Sequence, residues 1–439
     1  MAATMNTHRA RLAIFITVFV DLLGFGIVIP ILPLYAEQVA ANPASHWTNA
    51  VTGWMHLQSP GAFWAGVVFV SFSVMQFIAT PILGRISDRT GRRPVLWISL
   101  LGSAAAYLLM ALTMRLEWVI LARIVDGITG GNIAVAQAAM ADGSKPEERS
   151  KVLGMIGAAF GLGFVLGPAL AGILAGSTLG VAMLRNHGWH LPFLVAAGLS
   201  FLASLLVILW LPETLTPELR AKAQAKEGRG HALATALRTK GMPQLLTIAL
   251  LAMSGFAMME GTFSLLAAAR FSFGQREVGY LFAFIGILIV LYQGGLVRVV
   301  AKRVPERAAI WAGLVLMALA LPLLPHLSWK WPFLLMMVPL AWGNGMNATA
   351  TQALASQLTP AEHQGSLFGA MSAVQGLGRI LGPLAGTLIF AKWGFASPYS
   401  VAAGVVGVAF LLALSLPKPV KRGPASPDLE EAAVESQYL

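Results

Sequence analysis

Stretches of about 20 apolar residues, each long enough to cross a hydrocarbon core, recur along almost the whole chain with short polar breaks between them. Twelve can be read: 12–35 (span 1), 61–83 (span 2), 95–114 (span 3), 117–140 (span 4), 152–175 (span 5), 190–211 (span 6), 244–268 (span 7), 277–298 (span 8), 308–326 (span 9), 331–354 (span 10), 367–390 (span 11) and 397–416 (span 12). The pattern predicts an all-α membrane protein of twelve transmembrane helices. One long polar interruption, rich in Lys, Arg, Ala and Glu, splits it into an N-terminal bundle (1–211), a linker (212–243) and a C-terminal bundle (244–416). The tail, 417–439, carries Pro424, Pro427 and a glutamate cluster and is predicted to be disordered. The first run carries Asp21, Pro30 and Pro33 and is longer than a signal-peptide core, so it is read as a retained helix.

Composition agrees with this reading. Of 439 residues 57% are hydrophobic and 11% charged, against about 25% charged in soluble domains. The 45 glycines and 24 prolines suit membrane helices, which tolerate both. The formal charge of +11 could suggest a nucleic-acid partner, but its placement argues otherwise. If 84–94 is an inner turn, the inner segments hold 22 of the 30 Lys and Arg, whereas outer loops hold only Arg115, Arg185, Arg270, Arg276, Lys330 and Lys392. That bias orients the chain with both termini in the cytoplasm of a multi-pass cell-membrane protein. The basic excess then reports topology, and no nucleic acid is expected.

Several chemistries are excluded. No cysteine occurs, so disulfides, thiolate metal sites and a cysteine nucleophile are ruled out. No phosphate-binding G-x-x-x-x-G-K-[ST] loop is present. His46, His56, His187 and His190 fall in outer loops without a ligand constellation. Neither an enzyme nor a metal or cofactor site is expected, and any work must draw on an ion gradient.

The two halves repeat each other at an offset of 215. Asn132 matches Asn347, Gln137 matches Gln352, Glu147 matches Glu362, and Gly154 matches Gly369. Gly161-Leu-Gly163-x-x-Leu-Gly167-Pro168 returns as Gly376-Leu-Gly378-x-x-Leu-Gly382-Pro383. A gapless offset over two spans and a loop predicts two homologous six-helix bundles with a substrate site near the midplane between them.

Between spans 2 and 3 lie Gly84, Asp88, Arg89, Gly91, Arg92 and Arg93. Alone they read as a basic cytoplasmic turn. Their spacing resembles the signature loop of the major facilitator superfamily, in which the aspartate and the basic residue four positions later latch the cytoplasmic side. The resemblance implies that Asp88 meets the N-terminus of a helix in the other half, and that Arg92 pairs with a carboxylate, Asp142. Span 5 carries Gly157, Gly161, Gly167, Pro168 and Gly172. At 100° per residue, Gly157, Gly161, Pro168 and Gly172 fall within about 60° and make a smooth strip for a neighbouring helix. Generic small-residue packing explains the strip, and it also resembles the superfamily's antiporter motif. Asp21-Leu-Leu-Gly24-Phe-Gly26 of span 1 and Leu121-Ala-Arg123-x-x-x-Gly127 of span 4 are similar to the twelve-helix drug:proton antiporters, the tetracycline-efflux branch especially.

Ionisable groups inside hydrocarbon cost several kcal/mol and persist for pairing or function. Asp21, Asp126 and Glu260 are the acids expected to be buried within spans, and Arg123 and Arg379 the buried bases. A carboxylate exchanging between an apolar and an arginine-rich setting can take up and release a proton. Asp21 with Arg123, and Glu260 with Arg379, are candidate proton-coupling couples; both also read as static pairs that hold helices together. Arg123, Asp126, Gly130 and Gln137 share one face of a continuous helix. Gln137, Asn344, Asn347, Gln375 and Arg379 are candidate substrate contacts, with Thr351 beside Asn347. Spans 3 and 9 contain no acid, unlike the tetracycline branch, and Arg379 suits an anionic or zwitterionic cargo. The expected function is proton-coupled efflux of amphipathic small molecules by a monomer in the lipid bilayer. Symport or uniport of an organic anion or nutrient is the alternative, and a transport-dead receptor or lipid mover the third.

Overall fold

The computed structural model describes residues 7–42, 47–142, 149–175, 190–218, 220, 241–359 and 364–416. The tail, His46, His187, Glu147, Glu362 and most of the linker lie outside them. All twelve spans form helices, and no strand occurs among the described residues. They are Thr7–Ala40, Pro60–Thr90, Arg92–Leu112, Leu116–Thr129 with Asn132–Asp142, Arg149–Ala175 and His190–Trp210 in the first half. The second half has Met242–Phe271, Gln275–Leu291 continued by a π turn into Val297–Arg303, Glu306–Leu323, Lys330–Leu358, Gln364–Trp393 and Ser397–Leu414. Ten of these are long and apolar enough to span a membrane. The other two, spans 5 and 10, run for 27 and 29 residues; span 10 is diluted by Asn344, Asn347 and Gln352.

Helices overrun the apolar stretches, because a backbone that keeps its own hydrogen bonds costs least on entering or leaving lipid. The loop after span 2 illustrates this. Residues 84–90 stay helical, and the turn is confined to Gly91 at φ +111°, a conformation that L side chains resist. Span 4, conversely, is not continuous: it breaks at Gly130–Gly131. Gly130 still donates its amide to Asp126 O at 2.7 Å, so Arg123, Asp126 and Gly130 keep their predicted common face, whereas Gln137 lies beyond the break and is exposed.

The repeat is visible in the packing. Span 1 packs on spans 5 and 6 as span 7 packs on spans 11 and 12; spans 2 and 4 pair as do 8 and 10; and spans 3 and 6 pair as do 9 and 12. Glycines allow the closest of these approaches. A Cβ on Gly26 would lie 2.8 Å from the Gly163 carbonyl oxygen, and one on Gly167 would lie 2.7 Å from the Gly26 Cα. At the equivalent seam, a Cβ on Gly378 would meet Met253 at 2.9 Å and one on Gly382 the Met258 nitrogen at 2.8 Å.

The halves meet through span 5 on span 8 and span 2 on span 11, contacts that the repeat exchanges for one another. Span 5 thus has two small-residue faces. Gly163 and Gly167 meet span 1, whereas Gly161 and Gly172 meet Val290 and Gly279 of span 8. Gly66, Phe77 and Gly84 lie within about 20° of one another on span 2. A Cβ on Gly66 would collide with Thr387, Phe77 touches Gly376, and a Cβ on Gly84 would meet nothing within 4 Å. Spans 2 and 11 therefore touch at one end and diverge toward the end that carries Arg85, Arg89 and Arg93, called here the basic end. At the opposite end the amides of Gln58 and Ser59 donate to the Ala391 carbonyl at 2.7 and 3.0 Å, and Ser264 Oγ donates to Pro30 O at 2.9 Å. Exposed Trp54, Trp329, Trp331 and Trp393 ring that end, as aromatic residues do at a membrane–water boundary.

Replacing Gly167 by Val forces a side chain into backbone, where overpacking costs about 1–3 kcal/mol. The purified protein should melt at a lower temperature. Gly198→Ala, at a position with open space, should leave melting unchanged or raise it.

Candidate functional site

The break in span 4 builds the first cluster. Arg123 Nη1 donates to Asp126 Oδ2 at 2.7 Å, one helical turn away, and both residues are 1% exposed. The guanidinium carbon stands 4.2 Å from the centre of the Phe72 ring on span 2. Tyr107 and Ser103 of span 3 lie beside the Asp126 carboxylate, and Ser103 Oγ is 3.1 Å from Thr129 Oγ1. Beyond Asp126 the chain turns at Gly130, whose carbonyl accepts from Gln76 Nε2 at 2.9 Å. That turn carries Asn132 to the side chain of Asp21 on span 1. Asn132 Nδ2 is buried without a hydrogen-bond partner.

Asp21 is buried at 8% exposure and feels the charge of Asp126. No guanidinium or amine comes within ion-pair distance of it among the described residues. The expected Asp21–Arg123 couple is thus replaced by Arg123–Asp126: three residues apart on one helix, these two reach each other before span 1 does. Two buried carboxylates thus stand against one guanidinium, which Asp126 holds, so the cluster is neutral only when it also holds one proton. Burying a net charge costs far more than burying a matched pair.

The second set lines the space between the halves. Glu260 of span 7 is half-buried and has Arg379 of span 11 as its electrostatic neighbour. Arg379 was expected to be buried, yet it is exposed. Its direction explains why. Leu377, Leu381 and Leu384, the exposed apolar face of span 11, point about 140–160° away from it. Gly376 points toward span 2 and Gly382 toward span 7, so Arg379 opens between them into the inter-half space. Gln375 is half-buried one turn earlier, and Asn344 is half-buried on span 10. Asn347 does not join them. It is packed on Gly313 of span 9 and accepts from Thr351 Oγ1 at 3.4 Å, because the small glycine lets spans 9 and 10 close over it.

At the basic end, Arg92 Nη2 pairs with Asp88 at 2.8 Å and Arg92 Nε with Asp142 at 3.0 Å. Arg92 Nη1 also donates to Ser87 Oγ at 2.6 Å. Asp88 therefore binds within its own half, in keeping with the parting of the halves there. Glu213 completes this knot: it accepts from the Arg92 and Arg93 amides at 2.8 and 3.2 Å and from the Leu215 amide at 2.9 Å. It thereby caps the N-terminus of span 3 with a negative charge. Sequence reasoning had left Glu213 in the linker; an acid directly after Pro212 at a span end was the available signal. Tyr107 and Ser103 were also missed, since nothing in their spacing marks them; Asn132 was marked by its repeat partner Asn347 but not placed in the site.

Comparison with known proteins places this architecture. The family model described as the Major Facilitator Superfamily matches residues 14–328 and 296–436. The chain belongs to the Major Facilitator Superfamily. This facilitator is 34% identical over 419 residues to the class C tetracycline resistance protein of Escherichia coli, covering 93% of this chain and 96% of that protein. It is 27% identical to major facilitator superfamily domain-containing protein 10 of Bos taurus, covering 94% of each. Among solved structures, the human organic anion transporter MFSD10 (TETRAN) aligns with a TM-score of 0.66 and 25% identity over 93% of this chain and 99% of that chain. The nucleoside transporter NupG shares the fold at a TM-score of 0.69 and 14% identity, over 94% of this chain and 99% of that one. The facilitator is accordingly a multi-pass membrane transporter of two six-helix bundles, and not an enzyme.

Asp126→Asn should strand the Arg123 charge and lower the stability of the facilitator by about 3–5 kcal/mol. Chemical denaturation of the purified protein measures this. Replacing the pair together, Arg123→Met with Asp126→Leu, should cost less than the single change.

Proposed function

We propose that this transporter exports amphipathic small molecules in exchange for protons, with Asp21 as the principal proton site and Arg123–Asp126 as its electrostatic frame. The observation that carries the reading is the charge count of the cluster, two buried carboxylates to one guanidinium. With Asp126 committed to Arg123, Asp21 is left with Asn132 and a trace of exposure. A proton on Asp21 makes the cluster neutral, and water reaching it from one side or the other changes that balance. Rocking of the halves supplies the change of side.

The basic end, rich in Lys and Arg, is assigned to the cytoplasm on the positive-inside rule, which makes the structure inward-open. Asp88, Arg92, Asp142 and Glu213 form the cytoplasmic gate, and Gly84 lies on the face that span 11 reaches when that gate shuts. Gly161 and Gly172 provide a smooth seam on which span 5 slides against span 8. The reading is further supported by the similarity to tetracycline resistance proteins and by the antiporter-like strip of span 5. No cofactor takes part, the gradient being the energy source, and the protomer works alone. A second reading, symport or uniport of an organic anion, is favoured by Arg379 and by the similarity to an organic anion transporter.

In proteoliposomes screened with a panel of amphipathic drugs, tetracycline included, Asp21→Asn should abolish transport driven by a pH gradient while leaving substrate binding intact. Unchanged gradient-driven transport would refute the assignment. In everted vesicles an exported substrate should dissipate the pH gradient, whereas an imported one should not.

The chain has no native cysteine, so cross-linking is clean. Gly66→Cys with Thr387→Cys, placed where the outer ends of spans 2 and 11 touch, should stop transport on oxidation and regain it on reduction. Full transport through the cross-linked protein would exclude a cycle in which that contact opens.

A further inference from the structure

Arg379 is the only cation in the interior of spans 7–12, and Glu260 the only acid. Arg379 is exposed on the face of span 11 that looks into the inter-half space, and no carboxylate lies within 4 Å of it among the described residues. Its counter-charge is thus a neighbour at longer range, Glu260. Glu260 sits about 40° around span 7 from Ser264, the residue that touches Pro30 of the first half. It therefore also looks toward the space between the halves. A guanidinium presents a planar fork of N–H donors that matches a carboxylate or sulfonate two bonds at a time. Exposed in that space with no carboxylate within 4 Å among the described residues, the Arg379 fork is open to the oxygens of a ligand.

We propose that Arg379 is the anchor for an anionic group of the transported molecule, and that Glu260 is a resident counter-anion which that group displaces. The proposal rests on reading the inter-half space as the substrate path. Its substrate class is a small aromatic or amphipathic molecule with one carboxylate or sulfonate. The apolar body lies among the hydrophobic walls of the cavity, and the acid group forms the paired hydrogen bonds to Arg379. Gln375, one turn before Arg379, is placed to donate to a remaining oxygen of that group. Glu260 competes with the ligand for one guanidinium, so it tunes affinity downward and keeps the empty site near neutrality.

Equilibrium dialysis of purified, detergent-solubilised full chain against 2-naphthoate and 2-naphthamide tests this. The two probes share a ring system and differ in charge. The wild type should bind the carboxylate more tightly than the amide. Arg379→Gln should bring the two to equal affinity while retaining amide binding, and Arg379→Lys should keep part of the preference. Glu260→Gln, which removes the competitor, should tighten carboxylate binding and leave the amide unmoved; this arm decides the matter if Arg379→Gln fails to fold. Equal binding of both probes by the wild type, binding of neither, a preference that survives Arg379→Gln, or weaker carboxylate binding in Glu260→Gln would each overturn the proposal. No gradient is present in the dialysis, so a failed proton assignment at Asp21 leaves the preference in place. Loss of the preference, equally, leaves the gradient-driven experiments untouched.

Discussion

A charge in hydrocarbon must be matched, and in the first half of this protein one guanidinium stands against two carboxylates. Arg123 cannot leave its site without stranding Asp126, beside which lie Tyr107 and Ser103 of span 3. The pair settles on span 2 through the Phe72 ring, while Ser103 and Thr129 join spans 3 and 4 beside it. What remains is Asp21, an acid with a buried side chain and no cation of its own. The proposed proton chemistry follows from that arithmetic of charge, and the break in span 4 that delivers Asn132 to Asp21 makes the arrangement possible.

The helices around the cluster have to move without unpacking. Glycine seams of two kinds serve this need. Within each half, Gly163 and Gly167 on span 1, and Gly378 and Gly382 on span 7, bring backbones into contact too close for any side chain. These contacts make each half a stiff body. Between halves, Gly172 against Gly279 and Gly66 against Thr387 are equally close at the end opposite the basic loops. Spans 2 and 11 part at the other end. Stiff bodies that touch at one end and part at the other can rock so that the closed end exchanges with the open one, which is what alternating access requires.

The two halves share a plan and have divided the polar work. The first half carries the sealed acid–base cluster and the knot of Asp88, Arg92, Asp142 and Glu213. The second half lacks an equivalent knot: the stretch from Arg298 to Ala308 has lost both the glycine and the aspartate. What the second half offers is an exposed cation with an acid as its electrostatic neighbour, both facing the inter-half space. Duplication supplied one packing scheme twice, and the charges were then placed on it unequally.

Twelve spans, two halves and the family-like loop were legible in the chain because hydrophobic length, charge bias and a gapless repeat are local or periodic properties, readable without knowing what touches what. The small-residue strip of span 5 was legible for the same reason, since helical spacing alone puts Gly161, Pro168 and Gly172 on one side. Which charge pairs with which was not. Arg123 found Asp126 in place of Asp21, Asn347 vanished into the seam with Gly313, and Glu213 left the linker to cap span 3. Each outcome depends on inter-helix distances of a few ångströms, on a helix break whose consequence is spatial, and on which glycine lets two backbones touch. Sequence alone therefore determined the elements, their order and the bias of basic residues toward one set of loops; the tertiary structure decided the partners, because pairing in a medium that does not screen is governed by separation, and separation is set only when the helices pack.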